Sequence, residues 1–146
     1  MSILDRFNKM YSDISELNVD DLNALYHPDV TFVDPVTTHN GLSSVKGYFL
    51  NLLKSSKTCT FTIHDTIENS SAISSTHFVV VWTMYLTSEK LNKGNPITLD
   101  GTSLLTIEKD LIIYHRDYYD MGQMIYEHIP VLRHVILKIK SLLAKS

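Results

Sequence analysis

The residues best suited to chemistry stand together in the segment His115–Asp120, whose sequence is HRDYYD. The segment combines an imidazole, a guanidinium, two carboxylates and two phenols. Carboxylates and imidazoles are side chains that commonly move protons in general acid–base catalysis. Because the segment follows the apolar residues Leu111–Tyr114, a buried strand would carry these groups at its end. The segment therefore predicts the polar end of a pocket.

Composition limits the kind of protein to which such a pocket belongs. The chain has 146 residues, which is enough for one sizeable core, so we expect a single domain over 1–146. Its formal net charge of -3 provides no basic field for nucleic acid. One cysteine, Cys59, and the absence of signal-peptide features near Met1 favour the cytoplasm. No apolar run approaches the roughly 18–20 residues of a transmembrane segment.

The spacing of apolar residues predicts helices in the first third of the chain. The predicted elements are an amphipathic helix over 4–17, a short helix over 22–26, a strand over 30–34 and a helix over 45–52. We expect Ser43 or Ser44 to cap the last of these helices, because serine accepts hydrogen bonds from free N–H groups at a helix start. Proline residues at 28 and 35 are expected to end the elements before them.

Strand patterns dominate the rest of the chain. Four segments rich in β-branched and aromatic residues cover 58–68, 75–86, 97–109 and 111–120, with polar breaks at 69–71, 89–95 and 109–110. Such short breaks predict an antiparallel meander. The final segment, Val131–Leu143, is apolar on one helical face and basic on the other, and we expect it to close the pocket or pack on the sheet. The alternative is that it docks on a partner, on a second subunit or on an anionic membrane surface. The order of elements predicts an α+β fold, with helices covering one face of a curved antiparallel sheet.

Two stretches, Ala24–Pro35 and His115–Asp120, carry a resemblance to a known superfamily. Together with the order of elements they resemble the nuclear transport factor 2-like superfamily, which includes ketosteroid isomerases, limonene epoxide hydrolase and SnoaL-like polyketide cyclases. The stretch Tyr126–Pro130 and the helix after it resemble one SnoaL-like subgroup. The resemblance covers nearly the whole chain. It implies a cone-shaped, cystatin-like roll with an extra C-terminal helix, and it implies a homodimer.

The ketosteroid isomerases supply a first set of candidate residues. In those enzymes an Asp directly before a Pro, at the end of the first strand, is the proton-transferring base, and Asp34 matches it. A Tyr on the first helix and a protonated Asp on the penultimate strand bind the enolate oxygen. These two positions correspond to Met10 and Ser103 here. Tyr11 is adjacent but is turned about 100° around the helix. The resemblance implies Asp34 as a base without both oxygen-binding donors.

Limonene epoxide hydrolase supplies a second set. It activates a water with an Arg and an Asp on the third strand and a further Asp in the closing motif. Asp117 matches the closing Asp, whereas the other two positions correspond to Trp82 and Met84. SnoaL-like cyclases also use an acid in the pocket. The resemblance therefore implies Asp117 as a second candidate for general acid–base chemistry.

The alternation of side chains along strands divides the closing motif between two faces. If Asp117 faces the interior of the cone, His115 and Tyr119 do so as well, while Arg116 and Tyr118 face outward. We assign Asp34, Asp117 and His115 to catalysis, and Phe32, Trp82, Met84, Ser103 and Tyr119 to ligand binding. Such an aromatic interior suits a flat, hydrophobic small molecule with a few oxygens.

No cofactor or metal is predicted from the sequence. The other histidines lack the spacing of a zinc site, and neither a phosphate-binding loop nor a nucleophile elbow is present. Cys59 is expected to be a small core residue. Two functions remain open. One is an isomerase, cyclase or hydrolase that moves a proton on a hydrophobic substrate, and the other is a non-catalytic protein of the same fold that binds a ligand or a partner.

Overall fold

A computed structural model describes residues 1–69 and 75–145, and the predicted break at 69–71 lies mostly outside them. The six strands are β1 (Tyr26–Val33), β2 (Thr38–Asn40), β3 (Thr58–Asn69), β4 (Thr76–Thr87), β5 (Ile97–Glu108) and β6 (Leu111–Tyr119). The α-helices are α1 (Ile3–Ser12), α2 (Leu42–Ser55), α3 (Met121–Met124) and α4 (Pro130–Ala144). Short 3₁₀ helices cover Ile14–Glu16, Val19–Ala24, Asn92–Gly94 and Tyr126–His128.

The strands form one sheet in the order β2-β1-β6-β5-β4-β3. β3 to β6 are an antiparallel meander, and their bounds lie within one residue of the predicted strands. β1 runs parallel to β6, so the sheet is mixed rather than wholly antiparallel. The predicted α+β architecture, with a curved sheet and a C-terminal helix, is confirmed.

The first helix is shorter than its apolar period predicts. A capping box starts α1, because Ser2 Oγ accepts the N–H of Asp5 over 3.1 Å and the Asp5 carboxylate accepts the N–H of Ser2 over 3.2 Å. At Asp13 the backbone is extended, and its carboxylate accepts the N–H of Ser15 and caps a 3₁₀ turn. The apolar period continues across this break, since Ile14 is buried. The single helix predicted over 4–17 is therefore wrong after Ser12.

The next two elements also begin differently from the prediction. β1 starts at Tyr26, which was expected in a helix, and it contains Pro28. Pro28 lies where the register with β6 shifts, between the paired residues Tyr26 and Thr31, so its missing N–H interrupts no paired position. α2 begins after Gly41, which has φ +85° and supplies no side-chain cap. The predicted serine cap of this helix is wrong.

Apolar side chains of α1, α2 and the concave face of the sheet form the core. Its largest fully buried members are Phe7, Ile14, Leu22, Tyr26, Phe32, Phe49, Leu86, Ile97, Leu99, Leu105, Ile112 and His115. α4 has no buried residue and packs mainly on the turn Tyr126–His128, so the expectation that it covers the pocket or the sheet is wrong. In the parts of the chain that the structure describes, no helix is long and apolar enough to cross a membrane.

Candidate functional site

Asp117 lies at the centre of the candidate site. It stands on β6 opposite Ser103 of β5, and Ser103 Oγ donates to Asp117 Oδ1 over 2.5 Å. His115, two residues earlier on the same face, places Nε2 2.6 Å from the same oxygen. On β4, Trp82 Nε1 donates to Ser103 Oγ over 2.9 Å. The registers of three neighbouring strands thus bring these four side chains together and fix the orientation of the carboxylate.

Two buried phenols extend this hydrogen-bond network. The hydroxyl of Tyr26 lies 2.8 Å from His115 Nδ1, and the hydroxyl of Tyr11 lies 2.8 Å from that of Tyr26. With Asp117 as a carboxylate and His115 neutral, Nε2 carries the imidazole proton and Nδ1 accepts. Tyr11 then donates to Tyr26, and Tyr26 donates to His115. On one side of Asp117, the hydrogen bonds run from Tyr11 through Tyr26 and His115 to the carboxylate. On the other side, they run from Trp82 through Ser103 to the carboxylate.

The position of Tyr11 overturns the expectation that this phenol is turned away from the site. α1 presents Ile3, Phe7 and Tyr11 to the core, and these residues follow one another at intervals of four. The Tyr11 ring stacks on Phe7 with centroids 4.2 Å apart and meets Phe61 edge-on at 5.3 Å. Met10 is only partly buried. The first helix therefore does supply a hydroxyl to the site, from the residue after Met10, the position that corresponds to the tyrosine of the ketosteroid isomerases.

A small cavity borders Asp117. Its volume is about 50 Å³, which is room for only a few water molecules. Its wall is largely aromatic and includes Tyr11, Phe32, Tyr48, Phe61, Trp82 and Tyr119. Among the described residues, Asp117 is the one carboxylate in the wall, and its side chain is 14% exposed. Oδ2 of Asp117 accepts no hydrogen bond from residues 1–69 or 75–145, so this oxygen is available to a molecule in the cavity.

An outer groove of about 320 Å³ adjoins the cavity. The two spaces share five wall residues, which are Tyr48, Leu52, Leu86, Tyr119 and Met124. Ligand pockets for small organic molecules commonly have volumes of roughly 300–1,000 Å³. The groove alone therefore falls in the range of a ligand site, whereas the cavity does not. A ligand in the groove reaches Asp117 only if some of the shared side chains move.

Four tyrosines lie near Asp117 and have a raised pKa. Burial raises the pKa of Tyr11, Tyr26 and Tyr48 well above its usual range, and the negative charge of Asp117 raises it further. The pKa of Tyr119 is also raised, first by burial and then by the charges of Asp34 and Asp117. These hydroxyls therefore stay protonated at neutral pH. Tyr48 and Tyr119 border both spaces and can donate to a ligand oxygen.

Asp34 lies in the wall of the outer groove and not in that of the cavity. Its Oδ1 accepts the backbone N–H groups of Val36, over 2.8 Å, and Thr37, over 2.9 Å. The carboxylate therefore caps the turn between β1 and β2 and is 8% exposed. The structure separates the two carboxylates that strand alternation placed together, because the chain turns directly after β1.

The remaining predicted site residues fall into two layers. Four of them border the cavity, namely Phe32, Trp82, Met84 and Tyr119. Ser103 and His115 are buried behind the wall, with exposed fractions of 1% and 0%, and they hold Asp117 rather than a ligand. Sequence reasoning missed Tyr26 and Tyr48, although the placement of Tyr48 on the apolar face of α2 was a usable signal.

The outward half of the closing motif forms part of the surface. Arg116 and Tyr118 are exposed, and the Arg116 guanidinium lies 4.7 Å from the centre of the Tyr118 ring. Two larger surface grooves, of about 610 and 640 Å³, do not border Asp117. Within the described residues, no three His, Cys, Asp or Glu side chains are grouped to hold a metal ion. Asp117 and its cavity thus remain the arrangement with the clearest chemistry.

A curved mixed sheet and the helices packed on it enclose a small aromatic cavity. This fold can be compared with those of known protein families. The sequence matches the model of the SnoaL-like domain family over residues 7–115. The chain belongs to this family. No functionally curated protein matches the sequence.

Solved structures support the same fold. A nuclear transport factor 2-like protein of unknown function from Burkholderia pseudomallei is 18% identical, with a TM-score of 0.70 over 85% of this chain and 95% of that chain. A ketosteroid isomerase-like protein from Catenulispora acidiphila, in complex with trimethylamine, is 17% identical, with a TM-score of 0.69 over 83% and 87%. A candidate SnoaL-like polyketide cyclase from a Jannaschia species is 9% identical, with a TM-score of 0.68 over 82% and 85%.

Proposed function

We propose that the protein binds a hydrophobic small molecule in the groove and cavity, and that Asp117 acts on it as a general base. One observation carries this proposal. Asp117 Oδ1 is held by Ser103 and His115, while Oδ2 accepts no hydrogen bond from the described part of the chain, and the side chain borders the cavity. A carboxylate oriented through one oxygen can accept a proton at the other.

The surrounding phenols suit the product of that proton transfer. When a base removes a proton beside a carbonyl group, negative charge develops on the carbonyl oxygen, and a donor that binds this oxygen lowers the barrier. Tyr48 and Tyr119 border the cavity and the groove and keep their protons at neutral pH. We assign them to this donor role. Ser103 and His115 are positioning residues, because they act on the substrate only through Asp117.

Entry to Asp117 requires movement of the shared wall. The cavity holds only a few water molecules, so an organic ligand must displace side chains between it and the groove. Met124 is best suited to move, because its side chain is flexible and the helix α3 that carries it has only four residues. Among the similar structures, one is a candidate SnoaL-like polyketide cyclase and another holds trimethylamine.

Exchange of a carbon-bound proton tests this role without knowledge of the natural substrate. The probe is 2-tetralone, a flat aromatic ketone with acidic protons beside its carbonyl group. In D₂O, the protein should accelerate the loss of the α-proton signal in the NMR spectrum. Asp117→Asn should abolish this acceleration, because the amide keeps an acceptor oxygen for Ser103 and His115 but is not a base.

Asp34→Asn is the matched control. Its amide oxygen can still cap the N–H groups of Val36 and Thr37, so the turn is retained. We expect this variant to keep the acceleration of exchange that Asp117→Asn loses. If Asp34→Asn abolishes exchange and Asp117→Asn does not, the assignment of the base is wrong.

The small volume of the cavity favours a second candidate function, which is ligand binding without catalysis. In that case a hydrophobic molecule would occupy only the groove of about 320 Å³. Binding of 2-tetralone with no acceleration of its exchange by the parent protein would support this alternative. Equal affinity of the parent and Asp117→Asn would support it further.

We also propose that the protein is a homodimer in the cytoplasm. The outer face of the sheet exposes Tyr85, Tyr118 and Arg116, and aromatic and Arg side chains are enriched at protein interfaces. Cys59 is a free, buried thiol, which fits a reducing compartment. Light scattering of the purified protein tests the dimer, and Tyr118→Glu should convert it to a monomer.

A further inference from the structure

α4 carries an apolar face that points away from the rest of the protein. At about 100° per residue, seven of its apolar side chains fall within one arc of the helix surface. They are Val131, Leu132, Val135, Ile136, Ile139, Leu142 and Leu143. All of them except Ile136 are exposed, and Val131 and Leu143 reach 78% and 80%. Single exposed apolar residues are common, but a continuous exposed arc of this length indicates an interaction surface.

The opposite side of α4 contacts the body of the protein. Lys140 Nζ lies 3.1 Å from Glu127 and 3.8 Å from Asp120. Arg133, His134 and Leu137 line the groove of about 610 Å³ between the helix and the body. The polar side of the helix thus faces inward, and the apolar arc is left without a partner in the described residues.

Charge is distributed unequally between α4 and the rest of the chain. Residues 130–146 contain four Lys or Arg residues and no Asp or Glu, so their formal charge is +4, and residues 1–129 carry -7. In helical projection, Lys138 and Lys145 border one edge of the apolar arc, and Arg133 and Lys140 border the other. An apolar arc with basic residues along both edges is the pattern of helices that lie in an anionic membrane surface.

We propose that α4 docks on an anionic phospholipid surface. The arc would enter the acyl boundary, while the exposed Lys138 and Lys145 extend along one edge of it to the headgroups and Lys140 stays paired with Glu127. Pairing with α4 of a second copy fits less well, because it would bring basic edges against basic edges. The negative body is repelled by the same surface, so the helix would approach first. This inference does not depend on the proposed function of the cavity.

Sedimentation with vesicles tests the proposal on the full chain. The vesicles contain equal parts of phosphatidylcholine and phosphatidylglycerol, and vesicles of phosphatidylcholine alone serve as the neutral comparison. We expect the parent to sediment with the anionic vesicles and to be released by added salt. The double variant Ile139→Gln/Leu142→Gln should bind at least about tenfold more weakly, because it removes two apolar side chains from the arc.

Ile67→Gln is the matched control, since Ile67 is an equally exposed apolar residue on β3, with an exposed fraction of 55%. It should bind as the parent does, and Lys138→Gln/Lys145→Gln should weaken binding to anionic vesicles only. The proposal is overturned if the parent does not bind them, or if it binds as strongly after Ile139→Gln/Leu142→Gln. If the parent does not bind, light scattering shows what covers the arc instead. A dimer that Ile139→Gln/Leu142→Gln dissociates would show that a second copy covers it.

Discussion

Removal of one hydroxyl group should reveal how strongly the hydrogen-bond network holds Asp117. Ser103 Oγ is buried and makes two of the network's bonds, one accepted from Trp82 Nε1 and one donated to Asp117. Ser103→Ala leaves the indole N–H without an acceptor, which costs about 1–3 kcal/mol. It also removes a hydrogen bond to a carboxylate, worth about 1.5–3 kcal/mol. Because both bonds share one oxygen, the losses do not simply add. We expect a loss of about 2–4 kcal/mol in the free energy of unfolding.

Urea unfolding followed by tryptophan emission measures this loss at the site, because Trp82 is the only tryptophan in the chain. The unfolding midpoint should fall while the denaturant slope stays unchanged. Ser43→Ala is the matched control, since it makes the same chemical change at an exposed position on α2. Its free energy of unfolding should stay within about 0.5 kcal/mol of the parent. Parent-like stability and emission of Ser103→Ala would refute the network as described.

Three further predictions concern the surroundings of the site. Gly101→Ala should lower the free energy of unfolding by about 1–3 kcal/mol, because the new Cβ would lie within 3 Å of three indole carbons of Trp82. Gly47→Ala is the control, because open space surrounds Gly47, and it should raise the free energy of unfolding by about 0.5–1 kcal/mol. Buried phenols keep their protons to a higher pH than phenols of the unfolded chain, so the free energy of unfolding should fall as pH rises above about 10. Tyr26→Phe should reduce the slope of this fall by about 1.4 kcal/mol per pH unit. Burial raises the pKa of Cys59 to about 12, so a thiol reagent at pH 8 should label it only after unfolding, and rapid labelling of the folded protein would contradict this.

Much of the sheet and half of the site follow from local pattern. β3 to β6 are predictable because β-branched and aromatic residues run through each strand and short polar breaks separate them. Alternation of side chains then puts Asp117 and His115 on the inner face of β6, while the meander brings Ser103 opposite Asp117. These positions require only the period of a strand and the order of neighbours.

The other half depends on contacts that no local pattern contains. Tyr26 bonds to His115 across 89 residues of sequence, and it reaches this position because β1 pairs with β6 and begins earlier than expected. Asp34 leaves the predicted interior because the turn after β1 offers two N–H groups to its carboxylate. α4 meets the body on the side that carries Lys140, which lies 3.1 Å from Glu127, while most of its apolar residues face outward.

A crystal structure of the protein grown with 2-tetralone would show whether a hydrophobic ligand reaches Asp117 through the groove. We expect a ligand that extends from the groove into an enlarged cavity, with Met124 displaced and the α-carbon of the ketone beside Asp117 Oδ2. A ligand confined to the groove, with Met124 in place and the cavity still about 50 Å³, would contradict it.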